Sequence, residues 1–179
     1  TERFRINSTG QTIVGDTVAQ LSTNAERPFQ VHSVNGPKIA IGRNDTSISD
    51  GNTIGGIEFY GNDANGTFVN TASIIVNADG THADNDKPTR MQFYTTADGG
   101  SSASERLRID SSGRLLLGTT TEGADSGDDL TISNSGNMGL TLRSTDSNYC
   151  NIYFSDATSG TAEYAGYVSY QHSTDSLQF

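Results

Sequence analysis

Residues 105–120 read ERLRIDSSGRLLLGTT, and residues 2–17 read ERFRINSTGQTIVGDT. The two stretches share both arginines, the isoleucine, the first serine and both glycines at matching positions. An internal repeat constrains the architecture of a whole chain, because each copy must form the same supersecondary unit. We call each copy a marker hairpin, since its pattern predicts two short strands joined by a tight turn.

The alternation of side chains in the second marker hairpin predicts a strand with one apolar face. Period-two spacing places Glu105, Leu107 and Ile109 on one face. Arg106 and Arg108 then point away from that face, and we expect them to pair with carboxylates such as Glu105, Asp110 or an acid of a neighbouring chain. Exposed ion pairs of this kind contribute only about 0–1 kcal/mol.

A turn and a return strand complete each marker hairpin. Residues 110–113, DSSG, carry Asp at the first position and Gly at the fourth, as in a type I turn with a bulge. One hairpin is marginal alone, so its apolar face needs a partner. We predict burial near a three-fold axis for Phe4, Ile6, Ile13, Val14, Leu107, Ile109, Leu115 and Leu117.

The marker hairpin resembles the recurrent element of bacteriophage tail-fibre and tail-spike shafts, especially those of marine and cyanobacterial phages. The spacers between the copies share the polar character of those proteins. The resemblance implies an all-β, intertwined homotrimeric fibre segment of β-hairpins and short strands with a structural role. It says nothing about the host receptor.

The composition favours turns and short strands over helices. The chain has 179 residues, a net charge of −10, 22 Thr, 21 Ser, 20 Gly and 14 Asn. Leu, Ile, Val and Phe make up about 20% of it, which borders on the range typical of disorder. The alternative to a disordered polar chain is an oligomer that shares burial between subunits.

The repeat predicts two tandem fibre modules, residues 1–104 and residues 105–179. We expect strands at residues 29–34, 38–42, 54–60, 67–69, 72–76 and 89–95 in the first module. Their counterparts in the second are residues 130–133, 140–142, 151–154, 164–170 and 177–179. By the same spacing we expect a longer parent chain with a third marker hairpin near position 191.

No pattern in the sequence indicates catalysis, a cofactor or a metal. Nucleophile, phosphate-loop and dinucleotide motifs are absent, so we expect no enzyme and no catalytic, cofactor-binding or metal-binding residue. The acidic loops 44–52, 77–80 and 125–129 leave calcium open, although Asn and Asp usually serve turns there. Glu58 facing the 125–129 loop of a neighbouring chain is the one route to a glycosidase pair.

Single Cys and His residues carry little chemistry. Cys150 is more consistent with a small half-buried side chain than with a nucleophile. His32, His82 and His172 are isolated, and a trimer axis could bring three copies of His172 together.

The most consistent interpretation is a phage tail-fibre shaft that positions a host-receptor-binding tip. Its expected partners are two identical chains and other virion tail proteins, with host receptor or polysaccharide as a further possibility. An acidic chain without a Lys/Arg cluster or an 18-residue apolar run predicts no nucleic acid and no membrane insertion. The expected location is the extracellular virion. The alternatives are a receptor- or glycan-binding module acting through loops 43–53 and 77–87, and a bacterial surface adhesin.

Overall fold

The chain is all-β, as the sequence predicts. A computed structural model describes residue 36 and residues 38–179 in full. Of the preceding residues it describes the backbone of three short strands, β1 (Phe4–Ile6), β2 (Thr12–Gly15) and β3 (Phe29–His32). Helix is scarce, as the composition predicts. The described residues contain only one short 3-10 helix, Gly160–Tyr164.

Nine further strands follow along the chain. They are β4 (Thr53–Asn62), β5 (Phe68–Ala78), β6 (Thr89–Thr96), β7 (Ala103–Ile109), β8 (Leu115–Leu117), β9 (Leu130–Ile132), β10 (Tyr149–Phe154), β11 (Gly166–Gln171) and β12 (Ser176–Gln178). The described strands form three sheets, in the orders β1-β2-β3, β4-β5-β6-β7-β8-β9 and β10-β11-β12. Within each sheet, strands that follow one another in sequence are therefore paired.

Both marker hairpins form, and they share one register. Phe4 pairs with Val14 in the first copy, and Leu107 pairs with Leu117 at the matching positions of the second. Each hairpin is followed by a strand that runs parallel to its return strand, β3 beside β2 and β9 beside β8. The predicted equivalence of residues 130–133 with residues 29–34 is confirmed by this pairing.

The strands around the second marker hairpin also repeat. The antiparallel set β4-β5-β6 has the same order as β10-β11-β12, and Ile57 pairs with Ile74 as Ile152 pairs with Val168. The backbone N–H of Ala78 donates to the Asn52 carbonyl at 2.9 Å. The N–H of His172 donates to the Asn148 carbonyl at 3.1 Å in the same relation. The repeat thus extends well beyond the marker hairpins.

Several strand predictions are wrong in detail. Residues 38–42 and 140–142 form no strand, because no neighbouring backbone pairs with them. The side chain of Ile41 instead lies over Gly55, so close that a Cβ there would meet its Cγ2. The strands predicted at residues 67–69 and 72–76 are one continuous strand, β5, which stays paired with β4 on both sides of the register shift between Phe59 and Tyr60.

The structure divides into two compact units, Thr1–Ile132 and Ser133–Phe179. The second marker hairpin pairs with β6 and so belongs to the six-stranded sheet of the first unit. The module limits at 1–104 and 105–179 refer to the sequence repeat and stay a prediction.

Candidate interaction surface

One face of the six-stranded sheet is apolar from edge to edge. Two rows of directly paired residues cross it, and we call them the apolar rows. The first is Ile57, Ile74, Phe93, Leu107, Leu117 and Ile132, and the second, from β5 to β9, is Val76, Met91, Ile109, Leu115 and Leu130. Paired residues share a face, so these side chains form one continuous surface.

The apolar rows are open to solvent in the single chain. Six of their residues are exposed, and the other five are partly covered. The exposed residues are Ile57, Met91, Ile109, Leu115, Leu117 and Leu130, and the partly covered ones are Ile74, Val76, Phe93, Leu107 and Ile132. Contiguous apolar surface of this kind marks an interaction site on a soluble protein. The burial predicted for Ile109, Leu115 and Leu117 is absent within one chain, whereas Leu107 is partly covered there. The predicted burial of Phe4, Ile6, Ile13 and Val14 concerns side chains outside the described residues.

The opposite face of the same sheet carries polar residues together with Ile75 and Leu116, and its centre is covered. Gln92 is 3% exposed and Leu116 is 1% exposed. The Asn77 amide donates to Gln92 Oε1 at 2.9 Å, and Gln92 Nε2 donates to the Tyr94 hydroxyl at 2.9 Å and to Glu105. Buried polar groups of this kind are stable only when they are hydrogen-bonded, and this network meets that need for Gln92.

Glu105 lies on the polar face, so its predicted place beside Leu107 and Ile109 is wrong. Phe93 pairs with Leu107 but Tyr94 pairs with Glu105, so Arg106 is an extra residue in a β-bulge. The bulge shifts the alternation by one position on its N-terminal side, where Glu105 joins the arginine face.

Glu105 and Arg108 form a largely covered ion pair. The side chains are 16% and 14% exposed, and Arg108 Nη2 donates to Glu105 Oε2 at 2.8 Å. Burial opposes the charged form of Glu105, but hydrogen bonds from Arg108 and Gln92 outweigh it and hold the pKa of that carboxyl below its usual value. Arg106 is exposed and instead donates to the Thr95 hydroxyl at 3.2 Å. The predicted carboxylate partner is confirmed for Arg108, whereas Arg106 pairs with no carboxylate of its own chain among the described residues and its pairing with a neighbouring chain stays a prediction.

Asp79 fastens the second marker hairpin to the preceding strands. Its carboxylate accepts from Arg90 Nη1 at 2.7 Å and from the Ser111 backbone N–H, in the hairpin turn, at 2.9 Å. Burial opposes ionisation, yet the Ser111 N–H and Arg90 together keep the pKa of Asp79 below its usual value. Arg90 also donates to Asp50 at 2.9 Å, which ties in the loop before β4.

Asp110 organises the turn of the same hairpin. Its Oδ1 accepts the N–H groups of Ser112 at 2.9 Å and Arg114 at 3.0 Å, and its Oδ2 accepts Arg114 Nε at 2.7 Å. Arg114 Nη1 also donates to Asp128 at 2.9 Å, just ahead of β9. The first marker hairpin carries Asn7 and Gln11 at the matching positions, so its sequence lacks this ion pair.

In the three-stranded sheet of the second unit, too, apolar side chains are exposed on one face and a polar side chain is buried on the other. Ile152, Val168 and Leu177 share one face and are exposed. On the other face Ser169 is 4% exposed and donates to the Asn151 side chain. In both units a hydrogen-bonded polar side chain is buried on one sheet face, and apolar side chains on the other face are exposed.

The acidic loops are engaged with arginines. Loops 43–53 and 77–87 contact each other, since the His82 N–H donates to the Ile48 carbonyl at 3.0 Å. Asp50 and Asp79 of these loops both pair with Arg90. Among the described residues, no three His, Cys, Asp or Glu side chains come close enough to share a metal ion.

Cys150 and His172 come together, which sequence reasoning did not predict. Cys150 Sγ lies 3.4 Å from His172 Nε2 and donates to the Leu142 carbonyl at 3.3 Å. The contact arises because β10 pairs with β11, which brings together residues that are 22 apart in the sequence. His82 is separate, with Nε2 at 3.2 Å from the Pro88 carbonyl, and only the backbone of His32 is described.

Glu58 accepts a hydrogen bond from the Tyr60 hydroxyl at 3.2 Å. Both residues lie on β4, at the edge of the sheet. None of the helical segments in the described residues has the length and apolar character needed to cross a membrane.

Comparison with known proteins gives structural neighbours but no family. No family model matches the sequence, and no curated protein matches it either.

Two solved structures resemble this chain. One is the carboxy-terminal domain of the bacteriophage T5 L-shaped tail fibre, at 16% identity and a TM-score of 0.37, covering 79% of this chain and 68% of that one. The other is the same domain with its intra-molecular chaperone domain, at 16% identity and a TM-score of 0.38, covering 80% and 47%. This chain spans about half the length of the second. Both neighbours are phage tail-fibre domains.

Proposed function

We propose that the chain is a structural segment of a phage tail fibre, a homotrimeric shaft that positions a host-receptor-binding tip. The observation that carries the proposal is the open apolar face of the six-stranded sheet. The resemblance of the marker hairpin to fibre shafts supplies the class of protein. The proposed partners are two identical chains and other tail proteins of an extracellular virion.

A single chain buries too little apolar surface to be stably folded by itself. Among the described residues the buried apolar side chains are Ile48, Ala78 and Leu116. A domain of this length normally removes most of its apolar surface from water, because that burial must offset the conformational entropy of folding. Burial supplied by other subunits resolves the shortage.

An identical chain is the partner that fits this face best. The apolar rows recur as a shorter set on the second unit, so one mode of packing would serve both. Homo-oligomers with closed symmetry are the commonest assemblies, and their interfaces resemble a domain core cut in half. A shaft of three chains would place three such faces around one axis.

We propose no catalytic activity and no cofactor for this segment. The carboxylates Asp79, Glu105 and Asp110 are each bound by an arginine, which supports a structural role for them. Convergence of a nucleophile, a base and an oxyanion site is what an enzyme would need. Incubation with host envelope polysaccharide tests this part of the proposal, since new reducing ends abolished by Glu58→Gln would contradict it.

Light scattering coupled to gel filtration tests the trimer. The chain has a mass of 19.0 kDa, and we expect a particle three times that mass. Ile109→Asp should prevent trimer formation, because it would bury an unpaired charge in each of three subunits. Ser101→Asp, in an exposed loop, is the matched control and should leave the trimer intact. A folded, monodisperse monomer of the unmutated chain would contradict the proposal.

A further inference from the structure

Two segments inside the chain are extended but belong to no sheet. They are residues 38–42, KIAIG, and residues 138–142, MGLTL, and we call them the extended segments. None of their backbone groups bonds to the backbone of another described residue. Apolar side chains recur at every second position in both segments, which is the pattern of a strand with one buried side. The pattern therefore indicates a contact that the single chain does not supply.

The extended segments occupy the same place in the two repeats. Ile41 lies over Gly55, near the start of β4. The Leu142 carbonyl accepts a hydrogen bond from Cys150, near the start of β10, at 3.3 Å. Gly55 and Cys150 are matching positions, because each lies two residues before the paired isoleucine by which the two sheets correspond. The two segments are therefore equivalent parts of the repeat.

Each extended segment adjoins an apolar sheet face. Gly55 pairs with Val76, so it ends the second apolar row at β4, and Ile41 extends that row by one side chain. In the second unit Cys150 lies two residues from Ile152, on the exposed apolar face of the three-stranded sheet. A partner that covers these faces must therefore meet the extended segments as well.

The apolar side chains of the extended segments are less covered than those of the apolar rows. Ile39 and Leu140 are each 66% exposed, whereas the most exposed member of the rows, Leu130, is 53% exposed. The residues that follow them, Ala40 and Thr141, are small and exposed, so water can reach the backbone from the other side. Each segment is thus an apolar ridge that is available for contact with another copy.

We propose that each extended segment meets the same segment of the two other copies at the axis of the proposed trimer. The contact depends on that trimer, and it specifies which residues line the axis. Closed three-fold symmetry places the same residue of each chain at one height and at one distance from the axis. Because neighbouring strands lie only about 4.8 Å apart, three single segments can converge on one line where three broad sheet faces cannot.

The charged residues at the ends of the segments are compatible with this self-contact. Lys38 precedes Ile39, and Arg143 follows Leu142, so alternation places both charges on the side away from the apolar residues. Three copies would therefore bring apolar side chains together at the axis without gathering like charges there. An unpaired charge at the axis would be buried in each of the three chains.

The contact would fix the register of the three chains along the shaft. Apolar sheet faces tolerate sliding by two residues, because side chains of the same face then exchange places. Identical ridges meet at the axis only when the three chains stand at the same height. The extended segments would therefore exclude trimers in which one chain is shifted.

Chemical cross-linking between identical positions tests the axial contact. Two variants carry Cys150→Ser, so that each chain has a single thiol, together with either Leu140→Cys or Ile39→Cys. A short bis-maleimide is the linker, because side chains that meet at an axis can hold their Cβ atoms farther apart than a disulfide allows. We expect a covalent dimer on denaturing electrophoresis from each variant.

The matched controls move the thiol by one residue, to Thr141→Cys or Ala40→Cys, onto the other side of the segment. We expect at least fivefold less covalent dimer from each control, with the same trimer fraction by light scattering. In an intact trimer, equal yields from a variant and its control, or no dimer from the variant, would overturn the axial contact of that segment. A monomer in light scattering would instead contradict the proposed trimer, and the axial contact with it.

Discussion

At Glu105 a charged group is held on the covered face of a sheet whose other face is open. The carboxylate accepts hydrogen bonds from Gln92 and from Arg108, so both charges of the ion pair are satisfied where they lie. Removing one partner would leave the other charge largely buried and unpaired, which costs more than the pair itself contributes.

Glu105→Ala should therefore lower the free energy of unfolding by roughly 2–3 kcal/mol. Arg106→Ala, one position away, is the control, because Arg106 is exposed and bonds only to Thr95. We expect a change within about 0.5 kcal/mol for that variant. Urea unfolding followed by circular dichroism measures both. Equal losses of unfolding free energy would show that the Glu105–Arg108 pair contributes no more to stability than the contacts of Arg106.

The same carboxyl makes stability depend on pH. The pKa of Glu105 in the folded chain lies below its ordinary value of 4.5, so its stabilisation is complete above that pH and is lost as pH falls through the folded pKa. Glu105→Gln has no charge to lose. The difference in melting temperature between the wild type and this variant should therefore be largest near neutral pH and shrink in acid, and a constant difference would contradict the assignment.

At the scale of the element, the marker hairpin depends on its turn. Gly113 has φ +82°, in the left-handed region, and its N–H donates to the Asp110 carbonyl at 3.0 Å. No atom lies within 4 Å of the position its Cβ would take. A substitution there is therefore strained through the backbone alone.

Gly113→Ala should cost about 1 kcal/mol of unfolding free energy through that backbone strain. Gly127→Ala is the matched control, since its surroundings are equally open and its φ is not in the left-handed region. Thermal melting of the two variants side by side measures the difference. A larger loss for Gly127 would show that the turn does not limit stability.

The order of strands was predictable because turn residues separate the apolar runs. Leu115–Leu117 is a strand with the predicted bounds, and Thr89–Thr96 differs from its prediction by one residue. The bulge at Arg106 was not predictable, since a one-residue shift in pairing leaves the local pattern unchanged. The run around Ile39 and Ile41 also has the sequence pattern of a strand. Whether such a run forms a strand depends on a pairing neighbour that the local sequence does not reveal.

The candidate surface was predictable only in part. Leu107, Ile109 and Leu117 were identified as one apolar face, and the structure places them in rows that continue to Ile57 and Leu130. That continuation depends on the register of six strands, which no single stretch encodes. The contact between Cys150 and His172 arises in the same way, from strand pairing across a long separation.

At the scale of the whole molecule, both units share one inverted pattern of burial. Hydrogen bonds within the chain hold buried polar side chains such as Gln92 and Ser169, and the apolar faces are exposed and would be covered in the proposed oligomer. Stability should then be inseparable from association, because binding that is restricted to the folded state shifts the unfolding equilibrium by mass action.

The melting temperature should accordingly rise with protein concentration. A thermal series over a hundredfold range of concentration, followed by circular dichroism, measures this. Ile109→Asp should abolish the dependence together with the trimer, whereas Ser101→Asp should preserve it. A melting temperature that is independent of concentration in the unmutated chain would contradict an obligate oligomer.

The unbroken sequence order of strands from β4 to β9 has a consequence for how the proposed trimer would assemble. Pairing between successive strands closes only short loops, so each sheet can form rapidly as the polypeptide leaves the ribosome. Meeting of separate chains is a later and slower event that depends on their concentration. If the proposed trimer forms, the apolar rows are uncovered on a folded surface during that interval, so we expect the chains to be most vulnerable to aggregation after folding rather than before it.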